Sequence, residues 1–285
     1  MAPSQSGDAP DVSAGFTSVD RQPDTDFLVA TMDATARWPS VRYLRSWERS
    51  HLALQPGERM VDVGCGPGDV TIGLCGDVGA AGHVLGLDAS TAMLDVARRR
   101  AAEAGANAEF GVGDAQALAL PDGDMDACRS ERMLQWVPAP ERALAEMVRV
   151  VRPGGRVVIA DTDWRSLMFD LIEPDVHAAV TEAFRAVRGP GYDVGGRLLN
   201  RCRDLGLVDV EITAATQVWT HWNPDTDDAP TGFFPLRTVM EQLADHGMID
   251  RVMAERFVLD IEDAGRRDRL FCALTMFAVY GRRPA

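Results

Sequence analysis

The chain of 285 residues carries a formal net charge of −14, with 43 acidic residues against 29 basic ones. This negative charge disfavours nucleic acid or an anionic membrane surface as partner, because both attract clustered basic side chains. All 29 basic residues are arginine, and the absence of lysine excludes Schiff-base and P-loop lysine chemistry. With 46% hydrophobic and 25% charged residues, the composition is that of a globular protein.

Neither a metal site nor a membrane span is expected. The five cysteines form no Cys-x-x-Cys pair and have no histidine at metal-ligand spacing, which disfavours a zinc site and a disulfide framework. Residues 1–20 are rich in Pro, Ser, Gly and Asp, so we expect a mobile tail that lacks the features of a secretory signal. No stretch reaches the roughly 18 apolar residues that a spanning helix needs. We therefore expect a cytoplasmic protein.

An N-terminal helical cap is predicted over residues 21–56. Between Asp26 and Leu54 apolar residues recur at helical spacing, and Pro39 divides the segment into two helices. Two tryptophans, Trp38 and Trp47, fall in this cap.

A glycine-rich turn, from Val61 to Asp69, joins a short β-branched segment to a segment with helical spacing. Gly64, Gly66 and Gly68 stand at alternate positions, where the missing Cβ lets the backbone adopt a positive φ and approach a ligand. The amide groups that open the following helix favour a negatively charged group. The turn therefore predicts a nucleotide-cofactor loop, although a tight turn without a ligand has the same local pattern.

From Arg59 onward, strand, turn and helix alternate, which is typical of a parallel sheet covered by helices on both faces. Ser90 is a predicted N-cap, and Gly105 is expected to end the same helix. In such a sheet a ligand binds outside the carboxyl ends of the strands. The predicted strands are 59–65, 83–88, 108–113, 125–130, 156–161, 208–219 and 271–280.

The pattern D-x-G-x-G-x-G at residues 62–68, with Asp88 and Asp114 following the next two strands, resembles the class I S-adenosylmethionine-dependent methyltransferases. In particular it resembles the branch that contains the ubiquinone and menaquinone C-methyltransferases and many small-molecule methyltransferases. A dinucleotide-binding loop would need glycine where Asp69 stands, which weakens an NAD site. The resemblance covers residues 40–164. It implies S-adenosyl-L-methionine as cofactor and an α/β, Rossmann-like, seven-stranded sheet that is mostly parallel, with an antiparallel last strand and helical cap insertions.

The resemblance also implies how the adenosine part of the cofactor is held. Asp88 would accept hydrogen bonds from both ribose hydroxyls, since its two oxygens can serve neighbouring donors at once. Asp114 would accept from the adenine amino group, with the backbone of Ala115 at the ring edge and Met93 packed against the face. Either acid alone would also fit an ordinary turn at a strand end.

The methionine part is expected to lie over the glycine loop. Asp62 would hold its ammonium group through water, and the backbone around Arg129 and Ser130 would lie beside that group. Arg45 is a candidate partner for its carboxylate, although a solvated helix face also explains this arginine. The complete predicted cofactor-binding set is Asp62, Gly64, Cys65, Gly66, Gly68, Asp88, Ala89, Met93, Gly113, Asp114, Ala115, Arg129, Ser130 and Arg45.

A general base would assist methylation of an oxygen, nitrogen or ring carbon, because each must lose a proton. Four unranked catalytic candidates lie near predicted strand ends or in the insertions: Glu131, Asp163, Tyr192 and His221. Each of them also fits a surface or packing role. Many relatives carry a histidine where Gln135 stands, so a histidine-based proton relay is not expected at that position.

The predicted organisation is a tail (1–20), the N-terminal cap (21–56), a cofactor-binding core (57–164) and a remainder (165–285). Two insertions in this remainder, at about 165–191 and 221–268, follow strand ends on the cofactor side. Their aromatic rings either stack on a planar ligand or pack the insertions onto the sheet. The predicted substrate-binding residues are Trp38, Trp136, Trp164, Trp222 and Phe233.

These features predict a methyltransferase that acts on a small, apolar acceptor such as a phenol, a quinone-like ring or an indole, within specialised metabolism. The methylated atom, whether carbon, oxygen or nitrogen, stays open, as does the oligomeric state. Three alternatives remain: a C-methyltransferase of quinone biosynthesis, a cyclase that binds the cofactor without transferring methyl, and a non-catalytic cofactor-binding protein.

Overall fold

The computed structural model describes residues 19–21, 25–170 and 173–285. Within these residues a seven-stranded sheet is formed by β1 (Arg59–Val63), β2 (His83–Asp88), β3 (Ala108–Val112), β4 (Met125–Glu131), β5 (Val151–Phe169), β6 (Val208–Trp219) and β7 (Cys272–Arg282). The strand order is β3-β2-β1-β4-β5-β7-β6. Strands β1 to β5 are parallel, and β7 lies antiparallel between β5 and β6. The predicted fold class is confirmed.

Helices surround this sheet, and the described part of the chain also contains short 3₁₀ helices at Val19–Arg21, Leu134–Trp136 and Gly189–Gly191. The helices are α1 (Thr25–Ala36), α2 (Pro39–Leu52), α3 (Asp69–Val78), α4 (Thr91–Ala104), α5 (Pro140–Val150), α6 (Pro174–Arg188), α7 (Val194–Asp204), α8 (Leu236–Asp245) and α9 (Arg251–Arg266). None of the helices in the described ranges is long and apolar enough to cross a membrane.

The two faces of the sheet bury separate apolar clusters, because neighbouring residues of a strand point to opposite faces. Met60 of β1 belongs to a cluster with Leu74 of α3, whereas the next residue, Val61, belongs to a cluster with Leu144 of α5. This double burial explains why β1 reads as an almost continuous apolar segment. The sheet is thereby fixed between helices, and its carboxyl edge is left for a ligand.

Helices α6, α8 and α9 form a C-terminal cap with an apolar cluster of its own. Phe184 of α6, Leu236 of α8 and Phe257 of α9 are fully buried in this cluster, together with residues from the ends of β5 and β6. The cap therefore packs mainly on itself and on the far ends of these strands.

Local signals at the helix ends agree with the sequence. The Ser90 hydroxyl accepts a hydrogen bond from the Met93 amide at 3.1 Å, and Gly105 ends α4 with φ +61°. Pro39 occupies the first turn of α2, where its missing N–H costs nothing. Ser90 and Gly105 thus have the capping roles that the sequence predicted.

The chain near its N-terminus differs from the prediction of a mobile tail over residues 1–20. Most of that stretch lies outside the described residues, but Asp20 is part of the first 3₁₀ helix. Its carboxylate accepts hydrogen bonds from the Ser90 hydroxyl and from the backbone amides of Thr91 and Ala92. An anion at a helix N-terminus is stabilising, and these bonds lower the pKa of Asp20 to about 2, although burial opposes them.

Strand β5 is much longer than the predicted segment 156–161. Its pairing with β7 runs from Arg156↔Arg282 to Phe169↔Cys272, with a register shift after Asp163. The proposed insertion at 165–191 consequently begins as strand, because β7 continues to supply backbone partners beyond the edge of the parallel sheet. This extension carries β5 from the sheet into the C-terminal cap.

Candidate cofactor and acceptor site

A cavity of about 370 Å³ lies at the carboxyl edge of the sheet. The last or following residues of four strands line it, namely Val63, Asp88, Gly113 and Glu131, together with Thr162 of β5, which lies just past the part of β5 that pairs with β4. Helix α1 closes one side and the C-terminal cap closes another, so that one continuous space connects the glycine loop with the aromatic residues of the cap. This position agrees with the general rule for ligands of open α/β sheets.

The glycine loop forms one wall of the cavity. Gly64 and Gly66 line it with φ values of +76° and +53°, which residues with a side chain rarely adopt. A Cβ at Gly66 would lie 2.5 Å from the methyl carbon of Met32, and a Cβ at Gly68 would lie 2.8 Å from that of Ala97. Gly66 therefore keeps the cavity open, whereas Gly68 lets α3 and α4 approach each other.

Asp88 connects the loop to the end of β2. Its carboxylate accepts hydrogen bonds from the backbone amides of Gly66 at 2.8 Å and Ser90 at 2.9 Å. Burial raises its pKa, although these bonds oppose that shift. A carboxylate has about four acceptor positions, so the backbone amides leave acceptor capacity for a ligand in the cavity that Asp88 lines. The predicted adenosine-site residues that also line it are Ala89, Met93, Gly113, Asp114 and Ala115.

Asp62 has a different environment from the one expected. It is 1% exposed, and its carboxylate accepts from the Thr71 hydroxyl at 2.8 Å and from Arg129 at 3.0 Å. Arg129 in turn donates to Glu48 at 2.7 Å and to Glu131. Asp62 and Arg129 do not line the cavity, and their side chains form a buried ion-pair cluster. The carboxylate of Asp62 is thus occupied within the protein, where a water-mediated contact with the cofactor was expected.

Glu131 is the catalytic candidate that does line the cavity. Burial favours its neutral form, but the guanidinium groups of Arg45, Arg132 and Arg129 outweigh burial and hold its pKa well below the usual range. Arg45 donates to Glu131 at 2.7 Å and to Asp69 at 2.6 Å and does not line the cavity. A carboxylate held ionised by three arginines is a weak proton acceptor, so Glu131 is poorly suited to the role of general base.

The other three catalytic candidates do not line the cavity. Asp163 pairs with Arg165 at 2.6 Å, and Tyr192 is buried in the C-terminal cap. His221 is largely exposed and lies 2.7 Å from Asp268. The sequence placed them near strand ends or in the insertions, but Asp163 lies within β5, between the lining residues Thr162 and Trp164, and its own side chain is held by Arg165. The structure does not bring the four candidates together.

Two further predicted cofactor residues, Cys65 and Ser130, are buried next to the cavity without lining it. The Ser130 hydroxyl donates to the backbone oxygen of Val63 at 2.7 Å and so joins β4 to the end of β1. Burial raises the pKa of the Cys65 thiol far above its usual value, so the thiol stays neutral. Both residues support the loop.

The aromatic wall of the cavity contains four of the five predicted substrate residues: Trp38, Trp136, Trp164 and Phe233. Trp222 was predicted wrongly to join them. Its indole N–H donates to the backbone oxygen of Asp227 at 2.8 Å, and its ring and backbone pack near Gly265 of α9. Phe234, which follows Phe233 with its ring stacked at 4.3 Å, lines the cavity instead.

Sequence reasoning missed the cavity-lining face of α1 and several polar residues. Phe27, Thr31 and Thr35 line the cavity at intervals of four, a helical spacing that was visible in the sequence. Gln135 also lines it, and its side-chain oxygen accepts from the Trp164 indole at 2.7 Å. No local pattern identified Arg188, the last residue of α6, which lies over the Trp164 ring.

The fold and cavity define a Rossmann-like α/β protein with a site for a nucleotide-type cofactor. A family model described as a methyltransferase domain matches residues 60–155. The chain is 33% identical over 251 residues to an uncharacterized 37.1 kDa protein in transposon TN4556 of Streptomyces fradiae, covering 88% of this chain and 70% of that protein. It is 34% identical over 178 residues to the demethylmenaquinone methyltransferase of Geobacillus sp. (strain WCH70), covering 57% of this chain and 76% of that enzyme.

Two solved structures share the fold at lower identity. The [4+2]-cyclase SpnF matches with a TM-score of 0.51 and 22% identity, covering 86% of this chain and 81% of that one. Phosphoethanolamine N-methyltransferase 2 of Haemonchus contortus, in complex with S-adenosyl-L-methionine, matches with a TM-score of 0.58 and 18% identity over 94% of this chain and 59% of that one.

The chain belongs to the class I S-adenosylmethionine-dependent methyltransferase family, and it is an enzyme that uses S-adenosyl-L-methionine. The residues present fit this cofactor, because a Cβ at Gly66 would fill the wall of the cavity and Asp88 retains acceptor positions beside it. Gly64, Gly66, Asp88, Asp114 and Met93 are the residues that would hold it.

Asp88→Ala is expected to weaken binding of S-adenosylhomocysteine by about 2 to 4 kcal/mol, because it removes the carboxylate that we expect to accept from the ribose hydroxyls. It also removes the acceptor that holds the backbone amide of Gly66. Isothermal calorimetry measures this loss. The matched control is Asp95→Ala, because Asp95 lies on α4 and its side chain is 74% exposed. This variant should bind S-adenosylhomocysteine normally. Equal affinity in the two variants would contradict the role of Asp88.

Proposed function

We propose that this enzyme transfers the methyl group of S-adenosyl-L-methionine to a small, largely apolar and aromatic acceptor. The observation that carries the proposal is the continuity of the cavity, which runs from the glycine loop and Asp88 to the wall of Trp38, Trp164 and Phe233. Flat aromatic walls stack on planar ligands and bury much of their surface.

The cofactor supplies an electrophilic methyl group bound to a sulfonium. The protein's part is to hold the acceptor atom about 3 Å from that methyl in an in-line orientation. Trp164 is suited to positioning because its ring is held by the hydrogen bond to Gln135, and Thr162 lines the cavity at the end of the parallel part of β5. Since Glu131 is a weak base, an acceptor that loses its proton readily, such as a phenol, suits this site.

The relative from Geobacillus supports a quinone-like ring as one acceptor within this class. The aromatic wall supports phenols and indoles equally, and a role in specialised metabolism is part of the proposal. A second hypothesis is that the protein is a cyclase that does not transfer methyl. Its support is the likeness of fold to the [4+2]-cyclase SpnF. Release of S-adenosylhomocysteine separates methyl transfer from cyclisation.

The test is incubation with S-adenosyl-L-methionine and two panels of acceptors, one of phenols, hydroxyquinones and indoles and one of polar amines. Mass spectrometry of the methylated product and of S-adenosylhomocysteine should show turnover of the first panel. Trp164→Ala is expected to lower kcat/KM about tenfold, since a stacked ring contributes roughly 0.5–1.5 kcal/mol beyond burial.

Trp222→Ala is the matched control, because Trp222 lies outside the cavity. It is expected to reduce stability and leave kcat/KM within about twofold of the parent value. Turnover of polar amines alone, or equal effects of the two tryptophan substitutions, would contradict an aromatic acceptor.

A further inference from the structure

We propose that the acceptor carries a hydroxyl or keto oxygen on its aromatic ring and that the hydroxyl of Thr162 binds this oxygen. The inference rests on the proposed function, because it specifies a substituent of the acceptor in the same cavity. It begins with Thr162 of β5, which lines the cavity and is 3% exposed.

The Thr162 hydroxyl differs from the other threonine and glutamine side chains that line the cavity. It forms no hydrogen bond with any residue that the structure describes. Buried polar groups are nearly always hydrogen-bonded, because an unsatisfied one costs free energy. A hydroxyl at a cavity wall without an internal partner is therefore available to a ligand. The lining threonines and glutamines whose side chains do form hydrogen bonds within the protein are Thr31, Thr35, Gln116, Gln135 and Gln217.

Thr162 belongs to the acceptor side of the cavity. It pairs with Met276 of β7, so the two side chains lie on the same face of the sheet. Leu274, two residues before Met276, shares that face, and Trp164 follows two residues after Thr162. All four residues line the cavity, and β4 separates β5 from β1, the strand that precedes the glycine loop. The hydroxyl therefore lies in an apolar surface beside the aromatic wall.

The backbone that carries Thr162 is held in place. Its amide donates to the carboxylate of Asp161 at 2.8 Å, and the amide of Gln135 donates to the same carboxylate at 3.3 Å. Asp161 is fully buried, and it joins the end of the parallel part of β5 to the 3₁₀ helix at Leu134–Trp136. The branched side chain of threonine also has few rotamers. Such preorganisation lowers the entropy lost when a ligand binds.

The chemistry of a hydroxyl defines the substituent that it can bind. A threonine hydroxyl donates one hydrogen bond and accepts two, so it can serve a phenol, a phenolate or a quinone carbonyl. A ring that presents only C–H groups would cover the hydroxyl of Thr162 and leave it unpaired, which a site penalises. The inferred acceptors are therefore aromatic rings that bear a hydroxyl or keto oxygen.

The experiment measures binding to the protein saturated with S-adenosylhomocysteine by isothermal calorimetry. The probes are 1-naphthol, 4-hydroxyindole and 4-ethylphenol, each compared with the analogue in which a methyl group replaces the hydroxyl. The affinity of the hydroxyl form divided by that of the methyl form is measured in the parent and in Thr162→Val, which keeps the shape of the side chain. We expect this ratio to fall about tenfold for at least one pair, because the substitution removes a hydrogen bond that only the hydroxylated probe makes.

Thr216→Val is the matched control, because Thr216 of β6 is exposed and lies outside the cavity, with its hydroxyl 3.0 Å from that of Thr275. This variant should keep the ratio of the parent. Thr162→Ser keeps the hydroxyl and should retain most of the ratio. Thermal unfolding and the affinity for S-adenosylhomocysteine establish that each variant is folded. If Thr162→Val does not fold, the comparison of Thr162→Ser with Thr162→Ala decides the question.

A ratio that changes by less than about twofold in Thr162→Val for every pair would overturn the role of Thr162 and leave an aromatic acceptor standing. Weaker binding of S-adenosylhomocysteine by Thr162→Val with an unchanged ratio would assign the hydroxyl to the cofactor and overturn the inference as well. Failure of all the aromatic probes to bind in either form would instead overturn the proposed function together with this inference. These failures are therefore distinguishable within one set of titrations.

Discussion

Replacement of Arg129 by methionine is expected to lower the free energy of unfolding by about 3 to 5 kcal/mol. Arg129 is 3% exposed and binds Glu48, Asp62 and Glu131 at once. Methionine fills much of the same space but leaves three buried carboxylates without the cation that they share. Burial already raises the pKa of Glu48 to about 7 against the pull of Arg129, which indicates how costly an ionised carboxylate is at this position.

Equilibrium unfolding in urea measures this loss, with the slope of the transition checked for constancy. The control is Arg152→Met, because Arg152 pairs with Asp126 and its side chain is 48% exposed. Exposed pairs contribute about 0 to 1 kcal/mol, so the control should remain close to the parent. Losses of similar size in the two variants would show that the Arg129 cluster adds no more to stability than a surface pair.

Gly66→Val is expected to abolish detectable binding of S-adenosylhomocysteine while the chain still folds. The valine side chain would enter the cavity wall, with its Cβ 2.5 Å from the methyl carbon of Met32. It would also have to adopt φ +53°, which costs roughly 1 to 2 kcal/mol for a residue with a side chain. The expected loss of folding stability is therefore moderate, whereas the expected loss of cofactor affinity through steric exclusion is large.

Gly105→Val separates these two effects. Gly105 has a similar φ of +61°, but a Cβ there would meet nothing within 4 Å. This control should lose a comparable amount of stability and bind S-adenosylhomocysteine normally. Calorimetry and thermal unfolding of both variants provide the comparison. Normal binding of S-adenosylhomocysteine by Gly66→Val would contradict the assignment of the glycine loop to the cofactor site.

Much of the fold was predictable from the sequence because its signals are local. The glycines at 64, 66 and 68, the cap at Ser90 and the alternation of strand and helix all depend on short segments. The length of β5 was not predictable in this way, since Phe169 is strand only because it pairs with Cys272, about a hundred positions later. Pairing between distant segments leaves no local pattern.

The spacing of the motifs was enough to predict the cofactor half of the site. It was not enough to predict which side chains form hydrogen bonds with one another there. Asp62 stands at the expected position, yet Arg129 and Thr71 occupy its carboxylate. His221 and Trp222 have residue types suited to a site, and the fold turns both away from the cavity. In an irregular insertion, tertiary packing decides whether an aromatic side chain points into a cavity or into the apolar core. Residue type alone therefore does not distinguish a ring that binds a ligand from one that packs in the core.

The C-terminal cap has its own apolar cluster around Phe184, Leu236 and Phe257, separate from the clusters on the two faces of the sheet. Substitutions distant from one another and without shared partners act additively on stability. The cap can therefore be diversified, or grafted from a homologue, while the loop around Gly66 keeps its geometry. For enzyme engineering, the segment directly before α8 is the part of this half to vary, because Phe233, Phe234 and Pro235 line the cavity. Libraries confined to these positions should change which molecules are methylated while preserving cofactor use.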